Sequence, residues 1–155
     1  MQSAVLEIGR TFGVTFDHGD NFFDALRTFC VSNGVRQGYI PMFLAGLRDV
    51  QLVGTCEKLK DPKAPVWSHV HLENVEALGG GTIAFDPVEE KILPHIHVTV
   101  GLKPHSAVGH TSHLLSATVQ FLTEMLVVEV LAPNMRRVVA RDMYDVPLLT
   151  FDADG

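Results

Sequence analysis

The stretch Ile92-Leu93-Pro94-His95-Ile96-His97-Val98-Thr99-Val100 sets how the rest of the chain is read. Ile96, Val98 and Val100 alternate with His95, His97 and Thr99, the period of two expected of a strand with one face in a core. Residues on both sides keep that period. Phe12, Val14 and Phe16 alternate with Thr11, Gly13 and Thr15 over residues 11–16, and Val66, Val70 and Leu72 oppose Trp67, His69, His71 and Glu73 within residues 66–77. Residues 38–46 and 48–58 read as two further strands with Gly46 at the bend between them. Gly79-Gly80-Gly81 is expected to break or bulge the chain before a strand resumes from Thr82 to Phe85. Thr118 to Leu131 is a long β-branched run, and Val138 to Ala140 make a short final strand. Residues 61–65 and the polar, Gly- and Pro-marked residues 101–112 are expected to be loops.

One segment has a different period. Phe22, Phe23, Leu26, Phe29 and Cys30 recur at helical spacing over residues 22–33. Asp20 or Asn21 is placed to cap the start, and Gly34 supplies a left-handed stop. The expected fold is therefore α+β: a single domain in which a largely antiparallel sheet packs with one main helix, with room for a second short one. Its bounds are read as residues 5–151, followed by a frayed acidic tail, 152–155.

Composition bounds the function. The 155 residues are 46% hydrophobic and 19% charged, enough apolar content for a buried core and too little charge for disorder. No apolar run reaches the roughly 18 residues a membrane span needs, and residues 1–7 lack the basic start and apolar core of a signal peptide. A cytoplasmic protein is expected. Cys30 and Cys56 form no Cys-x-x-Cys pair and read as small half-buried hydrophobes. The formal net charge is −6, and the one basic cluster, Arg136-Arg137 with Arg141, reads as a solvated strand end. Direct nucleic-acid binding is not expected of such a chain.

Histidine is the outlier. There are eight, and seven lie between His69 and His113. In His95-Ile96-His97 the two imidazoles share one strand face, about 6–7 Å apart at the backbone, and can converge on one cation. A third ligand is sought among His105, His110 and His113. Three histidines with an open fourth position suit zinc or a similar divalent ion. His69-Val70-His71 has the same spacing and is read as a non-ligand pair. Glu73 and Glu124 are candidate acid–base groups, although an exposed strand position is the simpler account of each. Arg48 or Arg136 is the candidate for holding a carboxylate.

Taken in order, these features resemble one known family. They are Val14 to Asp20, Phe22 to Phe29, Gly38-Tyr39-Ile40, Ala45-Gly46-Leu47, Leu72 to Leu78, Gly81 to Ala84, His95 to Val100, a Gly-His loop, then Thr118-Val119 with Glu124 downstream. The chain is similar to the plants-and-prokaryotes-conserved (PPC) domain, in its prokaryotic stand-alone form without an AT-hook. The resemblance implies a fold shared in outline with acetolactate decarboxylase, a homotrimer, and a histidine cluster near the subunit boundary able to hold a metal. His95 and His97 match the family's His-x-His. His113-Leu114, ahead of Ala117-Thr118-Val119, fits the spacing of its Gly-Gly-His-Leu element, with Gly109-His110 as the reserve. Three functions follow as expectations: a trimeric metal- or small-ligand-binding module, a metal-dependent lyase or hydrolase acting on a small carboxylated compound, or a DNA-associated regulator working through a partner.

Overall fold

In the computed structural model, residues 1–55 and 67–152 are described. Strand β1 (Glu7–Asp17) leads into helix α1 (Phe22–Asn33). Six strands then follow: β2 (Gly38–Thr55), β3 (Trp67–Leu72), β4 (Val75–Asp86), β5 (Lys91–Leu102), β6 (His105–Ala132) and β7 (Asn134–Ala140). A single 3-10 turn, Arg141–Met143, separates β7 from β8 (Val146–Asp152). The first six strands form one antiparallel sheet in the order β1-β6-β5-β4-β2-β3. Because β6 also pairs with β2, the strands β2, β4, β5 and β6 close into a cycle, with β1 and β3 attached to it. β7 and β8 make a separate two-stranded hairpin.

The helix forms where the apolar stripe puts it. The Asn21 side chain accepts from the backbone N–H groups of Phe23 and Asp24, at 3.1 Å each. At the other end Gly34 takes φ 67°, where a side chain would be strained, and closes the last turn. Phe22, Leu26 and Cys30 are fully buried on the helix's inner face. The Phe22 ring meets Phe16 edge-on at 5.6 Å and Phe43 at 5.1 Å, joining helix to sheet. Ile96, Val98 and Val100 lie in this core, which turns His95, His97 and Thr99 to the outer face of the closed sheet.

Three local expectations are corrected. Residues 38–55 are one strand: Gly46 lies inside it, at an irregularity in the pairing with β6, where a Cβ would run into the Gln120 backbone carbonyl. The triple glycine does not interrupt β4. A Cβ at Gly79 would strike the buried Phe43 ring, and one at Gly80 would lie 2.8 Å from the Ile40 carbonyl oxygen. Close approach to β2 accounts for both. Residues 101–112 are a hairpin rather than a loop, since β5 runs to Leu102 and β6 starts at His105. Lys103, Pro104 and residues 108–111 are exposed, and the hydrogen-bond ladder that holds them leaves no hydrophobic signature. The segment 61–65 and Cys56 lie outside the described residues. Among the described residues, no helix is long and apolar enough to cross a membrane.

Candidate metal centre

The site is built on the register between β5 and β6. His97 lies directly opposite His113, so both project from the same face, and His95 joins them from two residues along β5. The three ring centroids are 4.8, 4.9 and 5.4 Å apart. One ring nitrogen from each lies within 4.8 Å of the others. His110, three residues from His113 along the strand, projects from the opposite face and lies beside Val100 instead. The strand alternation therefore brings His113, and not His110, to His95 and His97.

Burial and neighbouring charge keep His95 and His113 ready to donate lone pairs. His95 is pushed down to about 4, first by burial and then by the positive fields of Arg137, His113 and His97. His113 is also lowered, by burial first and then by His97 and Arg137. At neutral pH both rings are unprotonated, the form a metal requires. The Nδ1 of His113 is buried with no hydrogen-bond partner among protein groups. Such an atom normally finds one, and a cation between the rings is one way to satisfy it. Three imidazole nitrogens this close together are a donor set that zinc accepts. The residues fit a divalent ion of the zinc type.

The triad lies in a cleft of about 820 Å³. One wall is the β7–β8 hairpin, which contributes Arg137, Val139, Val146 and Pro147. Leu93 and Leu115 add further apolar surface. Arg137 donates from Nη2 to Thr82 Oγ1 at 2.5 Å and from Nη1 to the Pro147 carbonyl at 3.3 Å. Thr82 is the cross-strand partner of His95, so this contact fixes the guanidinium beside the triad. Arg137 was missed as a site residue because the Arg136-Arg137 pair reads as surface charge. Strand alternation separates the two: Arg136 turns outward to an ion pair with Asp152 at 2.9 Å, and Arg137 turns into the cleft.

The other candidates are dispersed. Glu73 is exposed and groups with Asp49 and His71, also exposed, away from the triad. Glu124 is exposed and lies opposite Thr15 and Leu44. Arg48 is an exposed neighbour of Asp49. His69 lies at the cleft's edge. The carboxylate that does line the cleft, Asp86, accepts from the backbone N–H groups of Val88 and Glu89, which lower its pKa.

Comparison with known proteins follows from this geometry. The fold is similar to that of a PPC protein from Pyrococcus horikoshii, with a TM-score of 0.80, 18% identity and coverage of 97% of each chain. It is equally similar, at TM-score 0.80 and 20% identity over 97% of this chain and 99% of that one, to a protein from Archaeoglobus fulgidus described as metal-containing. A suspected DNA-binding protein from Ralstonia eutropha JMP134 aligns at TM-score 0.69 and 21% identity, covering 89% of each chain. The outline extends to α-acetolactate decarboxylase from Bacillus subtilis strain 168, with a TM-score of 0.50 and 13% identity over 79% of this chain and 53% of that one. No curated protein matches by sequence. Residues 4–131 match the profile of the Plants and Prokaryotes Conserved (PCC) domain, and with its antiparallel sheet, single helix and outward-facing histidines the chain belongs to that family.

Proposed function

We propose that the protein is a metal- and small-ligand-binding module, assembled as a homotrimer, that holds a divalent ion, zinc by preference, on His95, His97 and His113. The observation that carries this reading is the convergence of the three imidazoles beside a cleft, with their ligand atoms within 4.8 Å of one another. The unpartnered, buried Nδ1 of His113 supports it, as does the description of the Archaeoglobus relative as metal-containing. A bound ion would supply Lewis-acid polarisation of a ligand oxygen at its open position. The chain's own contribution is to hold three imidazoles on rigid, paired strands, to line the cleft with apolar side chains and to set a guanidinium beside it.

A binding role fits better than turnover. Glu73 and Glu124 are exposed and away from the triad, and Asp86 is engaged by its own turn, so among the described residues no free acid–base group converges with Arg137 and the histidines. Direct nucleic-acid binding fits least well. The net charge is −6, and most described arginines are engaged internally: Arg10 with Glu129, Arg27 with Asp24, Arg136 with Asp152, and Arg36 over the Phe85 ring. The Ralstonia relative's description makes a DNA-associated role through a partner the second reading. Elemental analysis of untagged protein tests the first. About one zinc-type ion per chain, lost in both His95→Ala and His113→Ala, is the expected result. Metal-free wild type after reconstitution with zinc, nickel and iron would refute it.

A further inference from the structure

We propose that Arg137 forms an anion subsite beside the metal centre, selecting a small organic carboxylate as the ligand of the cleft. This subsite lies on the β7–β8 hairpin, beyond the residues 4–131 that match the family profile. It rests on the metal reading only for a second anchor, since the guanidinium is present whether or not the ion is bound.

Arg137 is half-buried, and among the described residues no carboxylate pairs with it, in contrast to its neighbour Arg136 on Asp152. A guanidinium has five N–H donors in a planar fork. Two are engaged, with Thr82 and Pro147, and both acceptors are neutral. Nε is buried without any partner. A buried cation with donors unmet is destabilising unless an anion completes it. Burial lowers the Arg137 pKa, which reflects the same desolvation, yet guanidinium remains charged at neutral pH.

Position and shape narrow the ligand. Thr82 pairs with His95 across β4 and β5, so the contact from Arg137 to Thr82 aligns the fork with the triad. A planar carboxylate matches the fork through two parallel hydrogen bonds. The walls around it, Leu93, Leu115, Val139 and Pro147, are apolar. They offer nothing to the further oxygens of a tetrahedral dianion, and the cleft's polar members Lys91, Thr111 and Ser112 are engaged with Glu89, Thr99 and the Val53 carbonyl, whereas a short branched carboxylate would bury its alkyl part against the apolar walls.

The experiment titrates isobutyrate, and separately inorganic phosphate, into wild type, R137Q and R137K by NMR, with metal content and melting temperature measured on each sample. Saturable isobutyrate binding is expected in wild type. Binding should weaken roughly tenfold or more in R137Q, the range for a hydrogen bond to a charged group, at unchanged metal content. R137K should retain part of the affinity, because charge persists without the fork; it also serves as the folded comparison should R137Q melt early. Equal isobutyrate affinity in wild type and both variants would overturn the proposal, as would tighter binding of phosphate or no saturable binding in wild type. If wild type proves metal-free yet binds isobutyrate in an Arg137-dependent way, the metal reading fails and the anion subsite stands.

Discussion

Glu129 is buried in β6, and its charge survives because Arg10 reaches it from β1. Arg10 donates from its backbone N–H and its Nε to Oε2, at 3.0 and 2.8 Å, and from Nη2 to Oε1 at 2.8 Å. That fork holds the Glu129 carboxyl at about 2, first through the side-chain hydrogen bonds. The unfolded chain, with an ordinary glutamate near 4.5, takes up the proton first as the solution is acidified. The pair's contribution is therefore complete above about pH 4.5 and is lost as pH falls through about 2. Melting temperatures of wild type and Glu129→Gln, followed on acidification, should differ most near neutrality and converge toward the acid end of that window; parallel curves would contradict this. Gly9 is packed against the same carboxylate, since a Cβ there would lie 2.7 Å from Oε2. Gly9→Ala is expected to destabilise by about 1–3 kcal/mol, the usual range for overpacking, measured by denaturant unfolding.

Among the elements, helix α1 was fully legible. Its stripe, its polar start and its glycine stop agree, and the observed span is the expected 22–33. Asn21→Ala removes the acceptor for two N–H groups and should cost about 1 kcal/mol of unfolding free energy. The β5 strand was legible for a similar reason, because alternation separated Ile96 and Val98 from His95 and His97. The identity of the third histidine was harder to read, since His110 and His113 differ only in register. That register is set by the pairing of β5 with β6, a relation between segments that period alone does not reveal. Glycine misled for the same reason. At Gly46 and Gly79 the missing side chain makes room for Gln120 and Phe43, residues distant along the chain, and only the folded arrangement shows what passes there. The hairpin β7–β8 was half-seen as a final strand. Its significance lies in Arg137, which a doublet of arginines conceals until one strand face is known to meet the cleft.

At the scale of the whole molecule, the closed sheet leaves an apolar face uncovered. Met42 lies opposite Leu126, Leu44 lies opposite Leu78, and Leu122 stands two strand repeats away from Leu126; all five are exposed. Met125, on the other side of β6, belongs to the core instead. Contiguous exposed side chains of this kind are typical of a surface that another subunit covers, and they support the proposed trimer. Glu124 stands on the same face, opposite Leu44, which suits a polar contact at a subunit boundary better than acid–base chemistry. Leu126→Glu would introduce a charge into that contact at a position already open in the monomer, so the fold should tolerate it. The expected result by light scattering is a monomer replacing the trimer. Its metal content should match wild type, because His95, His97 and His113 come from a single chain and their spacing does not depend on the apolar face. A monomer that has lost its metal while remaining folded would mean that a partner subunit completes the site, and a Leu126→Glu protein that stays trimeric would remove this face from the assembly.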